Sequence, residues 1–286
     1  ITHTHLTVSE GLLPLLPALL RRFTNLTSIK LPRYFTVDIN ALLSQIASFD
    51  LPSLHSLDIS DQRTFPSHGL RQFSQKFPTL KSLNCTHTKP DLVLISECFP
   101  NLEEIDVSYT SVFLDKDLDV KAWASGLKKL RKVDLSSNSK LGDSSLFTFC
   151  QNCVSLEALV VDETDSLSNI GIANAIRERP QLRSLDVGWG NVTLEFIDAL
   201  ALCALAEGGL PLRELNLGFC SGYQYNGISC LLRKCNNLQY LDLQGIEFLN
   251  DQRIIELSLL LGNLKVVKLS ENAKLTDLSL FAIMRN

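Results

Sequence analysis

The chain has 286 residues, 45% of them apolar and 20% charged, with a formal net charge of −4. That balance excludes an intrinsically disordered chain and makes so acidic a molecule a poor binder of nucleic acid phosphates. The longest purely apolar run, residues 12–20, contains Pro14 and Pro17 and falls far short of the roughly 20 residues that cross a bilayer, so no membrane-spanning helix is expected.

Residues 1–25 read as the tail of a structural unit: Thr7-Val8 closes a strand or loop, and a helix follows with Pro17 in its first turn and Arg21-Arg22 near its end. From Leu26 onward one frame recurs, Leu-x-x-Leu-x-Leu, clearest in Leu238-Gln239-Tyr240-Leu241-Asp242-Leu243. Its ten copies begin at Leu26, Leu54, Leu80, Leu102, Leu130, Leu156, Leu182, Leu212, Leu238 and Leu264, at steps of 22 to 30 residues. A frame of this spacing defines a leucine-rich repeat, each unit supplying one short strand and one return helix.

With the first Leu as position 1, positions 1, 4 and 6 face a core, and period-2 alternation turns positions 3, 5 and 7 to an inner surface. Helical periodicity follows each polar turn, as in Ile39, Leu42, Leu43 and Ile46, with polar helix starts at Asp143, Thr193, Asn250 and Thr276. The unit from Leu80, with Lys89-Pro90 in its turn, has room for only a short helix. Those from Leu102 and Leu182 are longer and predict a loop over residues 113–119 and an extended helix near residues 193–207. One unit buries too few apolar side chains to offset the ordering of its backbone, so stacking is obligatory. The expectation is a single α/β solenoid over residues 1–286, a horseshoe with a parallel β-sheet on its concave face and helices on its convex face. Both ends read as cut within repeats, since Ile1 is neither an initiator Met nor preceded by a leader and Asn286 falls inside a return helix.

Eight cysteines raise the question of disulfides. Cys85 ends a strand, while Cys98, Cys150, Cys153, Cys203, Cys230 and Cys235 lie in helical stretches where a small apolar side chain packs. Reduced, buried thiols in a cytoplasmic or nuclear protein are therefore expected, and the sequons at Asn25, Asn84 and Asn191 read as chance. Cys150 and Cys153 have metal-ligand spacing, but no second pair completes a zinc site. Alternation separates Cys85 from His87, which removes a Cys-His dyad. No phosphate loop, nucleophile elbow or His-Glu-x-x-His pair is present, so neither enzymatic activity nor a cofactor or metal is expected.

The inner surface carries the functional expectation. Position 5 reads Lys30, Asp58, Asn84, Asp106, Asp134, Val160, Asp186, Asn216, Asp242 and Lys268, and positions 3, 5, 7 and 8 together hold eleven acidic against four basic residues. Like charges on neighbouring strands cost stability unless a partner offsets them. Rings join them: Tyr109, Trp189 and Phe219 at position 8 and Tyr240 at position 3. An Asp on such a strand is as readily an ordinary solvated residue, and a ring after the strand as readily caps the core edge. The candidate protein-binding residues are Asp106, Tyr109, Asp134, Asp186, Trp189, Glu214, Phe219, Tyr240 and Asp242, with Tyr223 and Tyr225 in the turn beyond. The partner expected is a basic and apolar segment of a target protein, not nucleic acid or a membrane.

Several helical segments place a Cys shortly before the frame: Cys235 before Leu238, and Cys150 and Cys153 before Leu156. The strand-end turn at Cys220 and the helix entries at residues 140–146 and 274–280 belong with them. In these features the chain resembles, over nearly its whole length, the cysteine-containing repeats of F-box/leucine-rich-repeat proteins. The resemblance implies a substrate receptor of an SCF-type cullin-RING ubiquitin ligase, serving protein ubiquitination and degradation. In that family the repeats hold the target and an N-terminal F-box holds a Skp1-type adaptor. No F-box is visible here, since Leu13-Pro14 and Leu16-Pro17 fit a repeat helix better. The rival expectations are an interaction scaffold or innate-immunity sensor with ribonuclease-inhibitor-like repeats, and a GTPase-activating repeat protein, for which no exposed orienting residue is found.

Overall fold

The computed structural model describes residues 4–31, 33, 38–110, 117–164, 166–189, 211–221 and 224–285. They fall into two compact units, residues 1–138 with 152–155, and residues 139–151 with 156–286. The first unit holds strands β1 (His5–Thr7), β2 (Ser28–Lys30), β3 (Ser56–Asp58), β4 (Ser82–Asn84), β5 (Glu104–Asp106) and β6 (Lys132–Asp134). They pair in parallel, in chain order. Helices α1 (Leu16–Arg22), α2 (Ile39–Ala47), α3 (Ser67–Lys76), α4 (Leu92–Cys98) and α5 (Asp117–Gly126) return each strand to the next.

The second unit repeats the plan with β7 (Ala158–Val160), β8 (Ser184–Asp186), β9 (Glu214–Asn216), β10 (Tyr240–Asp242) and β11 (Val266–Lys268), again parallel and in chain order. Its helices are α6 (Asp143–Asn152, up to residue 151), α7 (Asn169–Arg177), α8 (Tyr225–Leu232), α9 (Asp251–Ser258) and α10 (Asp277–Arg285). In every frame the strand covers positions 3 to 5, and the register aligns like positions, as in Leu57 with Leu83 and Leu185 with Leu215.

The core follows from this register. Positions 1, 4 and 6 are buried in the nine frames that begin at Leu26 through Leu238. The last frame departs: Leu264, Val267 and Leu269 are only partly covered. Large rings fill the first unit, where Phe73 meets Phe77 at 4.6 Å and Phe99 at 6.5 Å between centroids.

Helix starts are mixed. Asn250 caps α9 by accepting from the Arg253 N–H at 3.0 Å, and the Thr276 hydroxyl accepts from the Leu278 N–H at 3.3 Å. Asp143 instead opens α6, and its carboxylate serves the following repeat. The short α4 fits the short unit, with Asp91 accepting from the Leu94 N–H at 2.9 Å. The loop expected over residues 113–119 ends sooner, since α5 begins at Asp117, and the helix expected near residues 193–207 lies outside the described residues.

One structural column escaped the sequence reading. At position 9, Thr88, Thr110, Thr164, Asn138 and Asn272 each donate a side-chain hydrogen bond to the carbonyl of their own position 6, at 2.6 to 2.9 Å. The carbonyl freed where the chain leaves the sheet is thereby satisfied without water.

Candidate functional site

The face of each sheet opposite the helices begins from a turn built identically in frame after frame. The position-5 side-chain oxygen accepts the N–H of position 7, at 2.8 to 3.1 Å, in Asp58, Asn84, Asp106, Asp134, Asp186, Asn216 and Asp242. This local bond favours Asp or Asn over other polar residues. Position 8 then lies in the left-handed region, with φ from 51° to 63° at Asp61, His87, Tyr109, Ser137, Glu163, Trp189, Phe219, Gly245 and Glu271. The acidic column therefore has a structural cause that charge alone did not reveal.

What remains open after that turn differs between the units. In the first, Lys30 neutralises Asp58 at 2.5 Å and Arg33 pairs with Asp61 at 2.9 Å. Asp106 lies in register beside Asp134, and a shallow depression of about 200 Å³ there is lined by Asn84, Glu104, Asp106, Lys132 and Asp134 among others. Tyr109, half exposed, stacks on His87 with centroids 4.6 Å apart.

In the second unit Asp242 is buried, at 3% exposure, and paired with Lys268 at 3.3 Å. Hydrogen bonding to Tyr240 and then to Asp242 raises the Lys268 pKa above the ordinary lysine value, and the ammonium lies 5.4 Å from the centre of the Tyr240 ring. Tyr240 and Asp242 are thus already engaged with a lysine of their own chain. Glu214 is exposed and accepts from the Ser184 hydroxyl at 2.9 Å, while Asp186 is half-buried.

The rings at position 8 come together. Trp189 and Phe219 stack with centroids 4.1 Å apart and planes 18° from parallel, and Trp189 is 59% exposed. Beside them is a groove of about 400 Å³ lined by Trp189, Phe219, Cys220, Ser221, Gly245, Ile246, Glu247 and Phe248. Tyr223 lies outside the described residues. Tyr225 opens α8, donates to Glu256 at 2.5 Å and sits under Arg253 at 5.3 Å, and its hydroxyl is pushed up to about 12 by burial and then by Glu256.

The described cysteines are free thiols, and Cys203 lies outside the described residues. Cys85, Cys150, Cys153, Cys220 and Cys235 are buried, and burial pushes Cys150 and Cys235 up to about 12. Cys230 departs from expectation: it is exposed on α8, because its place in the helix turns away from the buried Ile228, Leu231 and Leu232. Among the described residues no cluster of three or more His, Cys, Asp or Glu side chains is placed to hold a metal, and no helix is long and apolar enough to cross a membrane.

A family model described as a leucine-rich repeat matches residues 126–150. The fold is a leucine-rich-repeat solenoid. Solved relatives of this solenoid share it at low identity. The leucine-rich repeat-containing protein LegL7 from Legionella pneumophila aligns at TM-score 0.60 and 17% identity, over 92% of this chain and 88% of that one. A chain of the yeast Rad7 and Elc1 complex aligns at 0.58 and 17%, over 90% and 74%. The TLR13–ssRNA13 complex aligns at 0.56 and 19%, over 94% of the solenoid and 39% of that chain. Identities this low establish a common fold and nothing of activity.

Proposed function

We propose that this solenoid is a protein-recognition domain, and more specifically the target-binding arm of an SCF-type ubiquitin ligase. The observation that carries recognition is the pre-stacked ring pair of half-buried Phe219 and exposed Trp189 on this face. Aromatic rings are among the side chains on which interface energy concentrates. The ligase reading is supported by the cysteine-bearing repeats that end in Cys153 and Cys235, and it agrees with the likeness to a chain crystallised in the Rad7 and Elc1 complex.

The test is co-purification of the intact protein from its own cells. Recovery with a Skp1-type adaptor and a cullin, together with accumulation of a bound protein when the solenoid is depleted, is the expected result. Recovery of a stable partner without adaptor or cullin overturns the ligase role and leaves a scaffold.

A further inference from the structure

We propose that the groove beside Trp189 and Phe219 receives an arginine side chain from a basic peptide segment, with the guanidinium against the rings and near the Glu247 carboxylate. This deepens the recognition reading above and rests on it.

The ring side of the groove is closely packed. Gly245 has φ +63°, and a Cβ there would come within 2.5 Å of Cδ1 and 2.7 Å of Cε1 of Phe219. The Phe219 ring thus occupies the space that a side chain at position 245 would take, and it holds the Trp189 ring in a near-parallel stack. An exposed tryptophan is ordinary when single and mobile; one stacked in advance has already lost the freedom that binding removes. The volume of about 400 Å³ has room for a long side chain together with part of the segment that carries it.

Charge selects the occupant. Among the described residues lining the groove the one formally charged side chain is Glu247, exposed and without an ion pair among the described residues. The position-8 column places Glu163 before Trp189 and Glu271 after Gly245, at about 5 Å per strand step. The nearby cations are engaged by groups other than the Glu247 carboxylate, two of them at the edge of the groove. Lys268 is held by Tyr240 and Asp242, Lys274 donates to the Glu247 carbonyl at 3.0 Å, and Arg253 donates to the Phe248 carbonyl at 2.5 Å. Arg253 also lies 5.7 Å from the centre of the Phe248 ring, so one ring of the wall already carries a guanidinium of this chain.

Two near-parallel rings form a flat stack, not a cage. A planar guanidinium matches such a surface and pairs with a carboxylate in two-pronged fashion, whereas a methylated ammonium prefers rings on several sides. Nucleobases would stack equally well, but the Glu247 carboxylate in the groove disfavours the phosphates that accompany them.

The chain contains two tryptophans, Trp123 fully buried and Trp189 exposed, so acrylamide quenching of fluorescence reads Trp189. The probes are hexa-arginine, hexalysine and hexacitrulline at low salt. Hexa-arginine is expected to shield Trp189 and to bind at least about fivefold more tightly than hexalysine, with no response to hexacitrulline. By calorimetry, Trp189→Leu is expected to weaken hexa-arginine at least about tenfold and Glu247→Gln at least about threefold, both variants melting as the parent does. Equal binding of the two cationic peptides, unaffected by either substitution, would place them on the acidic sheet and overturn the groove while leaving protein recognition intact. A hexacitrulline response equal to that of hexa-arginine, or no shielding of Trp189 by any peptide, overturns it as well.

Discussion

Asp251 holds the start of the next repeat's helix: its carboxylate accepts from both the N–H and the hydroxyl of Thr276, at 2.9 and 2.7 Å, and from the Ser279 hydroxyl at 2.5 Å. Asp143 does the same for Ser168, at 2.7 and 2.5 Å, so one residue type at one frame offset ties successive helices together. The residue that caps a helix is here held in place by the neighbouring repeat, since the Ser168 hydroxyl accepts from the Gly171 N–H at 3.0 Å while it donates to Asp143, which couples formation of one unit to the presence of the other.

Removing that tie has a defined sign with pH. The Ser279 hydroxyl first, then Thr276, lowers the Asp251 pKa below its ordinary value. The stabilisation is therefore present above the unfolded-state pKa of about 3.9 and is lost as pH falls through the lower folded-state value. Urea melts of the parent and of Asp251→Asn are expected to differ near neutrality and to converge on acidification, and a gap that widens in acid would contradict the assignment. At Asp143, which holds the capping Ser168, substitution by Ala is expected to cost about 1 kcal/mol, the ordinary worth of a cap.

The second prediction concerns the core. Leu241 is fully buried at position 4, with Leu215 and Val267 as its register partners on either side. Leu241→Ala leaves a cavity and is expected to cost about 2 to 5 kcal/mol. Val267→Ala, at the same position of the partly covered last frame, is expected to cost less than about 1 kcal/mol, because water already reaches part of that side chain. Chemical denaturation of both decides it, and equal losses would mean that the last frame is covered in solution.

A third prediction separates the turn from the charge. Asp106 accepts from the Ser108 N–H at 3.0 Å and hydroxyl at 2.7 Å, and it lies in register with Asp134. Asparagine keeps the accepting oxygen, as Asn84 and Asn216 already show, and removes one of two adjacent like charges. Asp106→Asn is therefore expected to raise stability by about 0.2 to 1 kcal/mol at low salt and to lose that advantage at high salt. Asp106→Ala is expected to lower it by about 1 kcal/mol under both conditions, through loss of the turn bonds. Melts of the two variants at two salt concentrations suffice.

The leucine frame was legible because burial at positions 1, 4 and 6 is a property of each short segment, readable from Leu57 and Ile59 without knowing what lies beside them. The roles of Asp251 and Asp143 were not, since both appear as ordinary helix-start residues until the next repeat is stacked against them. The position-5 aspartates were read as surface charge for a related reason: a turn that needs an accepting side chain two residues before an N–H selects the same residue types as a solvated face. Trp189 and Phe219 were recognised as neighbours from their shared position. Their stacking involves a backbone feature of Gly245 that residue spacing does not display, and the position-9 threonines and asparagines acquire a role only once their carbonyl partners are in place.

The left-handed residue at position 8 yields the last prediction. A side chain with a Cβ held at positive φ costs roughly 1 to 2 kcal/mol, and here the cost recurs in frame after frame, so it is a property of the turn and not of any one site. Glycine removes that strain but gives the unfolded chain more freedom, which recovers part of the gain. At Glu271, exposed and at φ 62°, Glu271→Gly is expected to raise stability by about 0.5 to 1 kcal/mol. At Gly245 the reverse substitution meets both penalties: Ala must adopt φ near +63° and its methyl must displace the Phe219 ring. Gly245→Ala is expected to cost about 2 kcal/mol or more and to separate the Trp189–Phe219 stack, raising the access of acrylamide to Trp189. A Gly245→Ala protein with parental stability and unchanged quenching would mean that the ring pair is held by something other than the bare backbone at position 245.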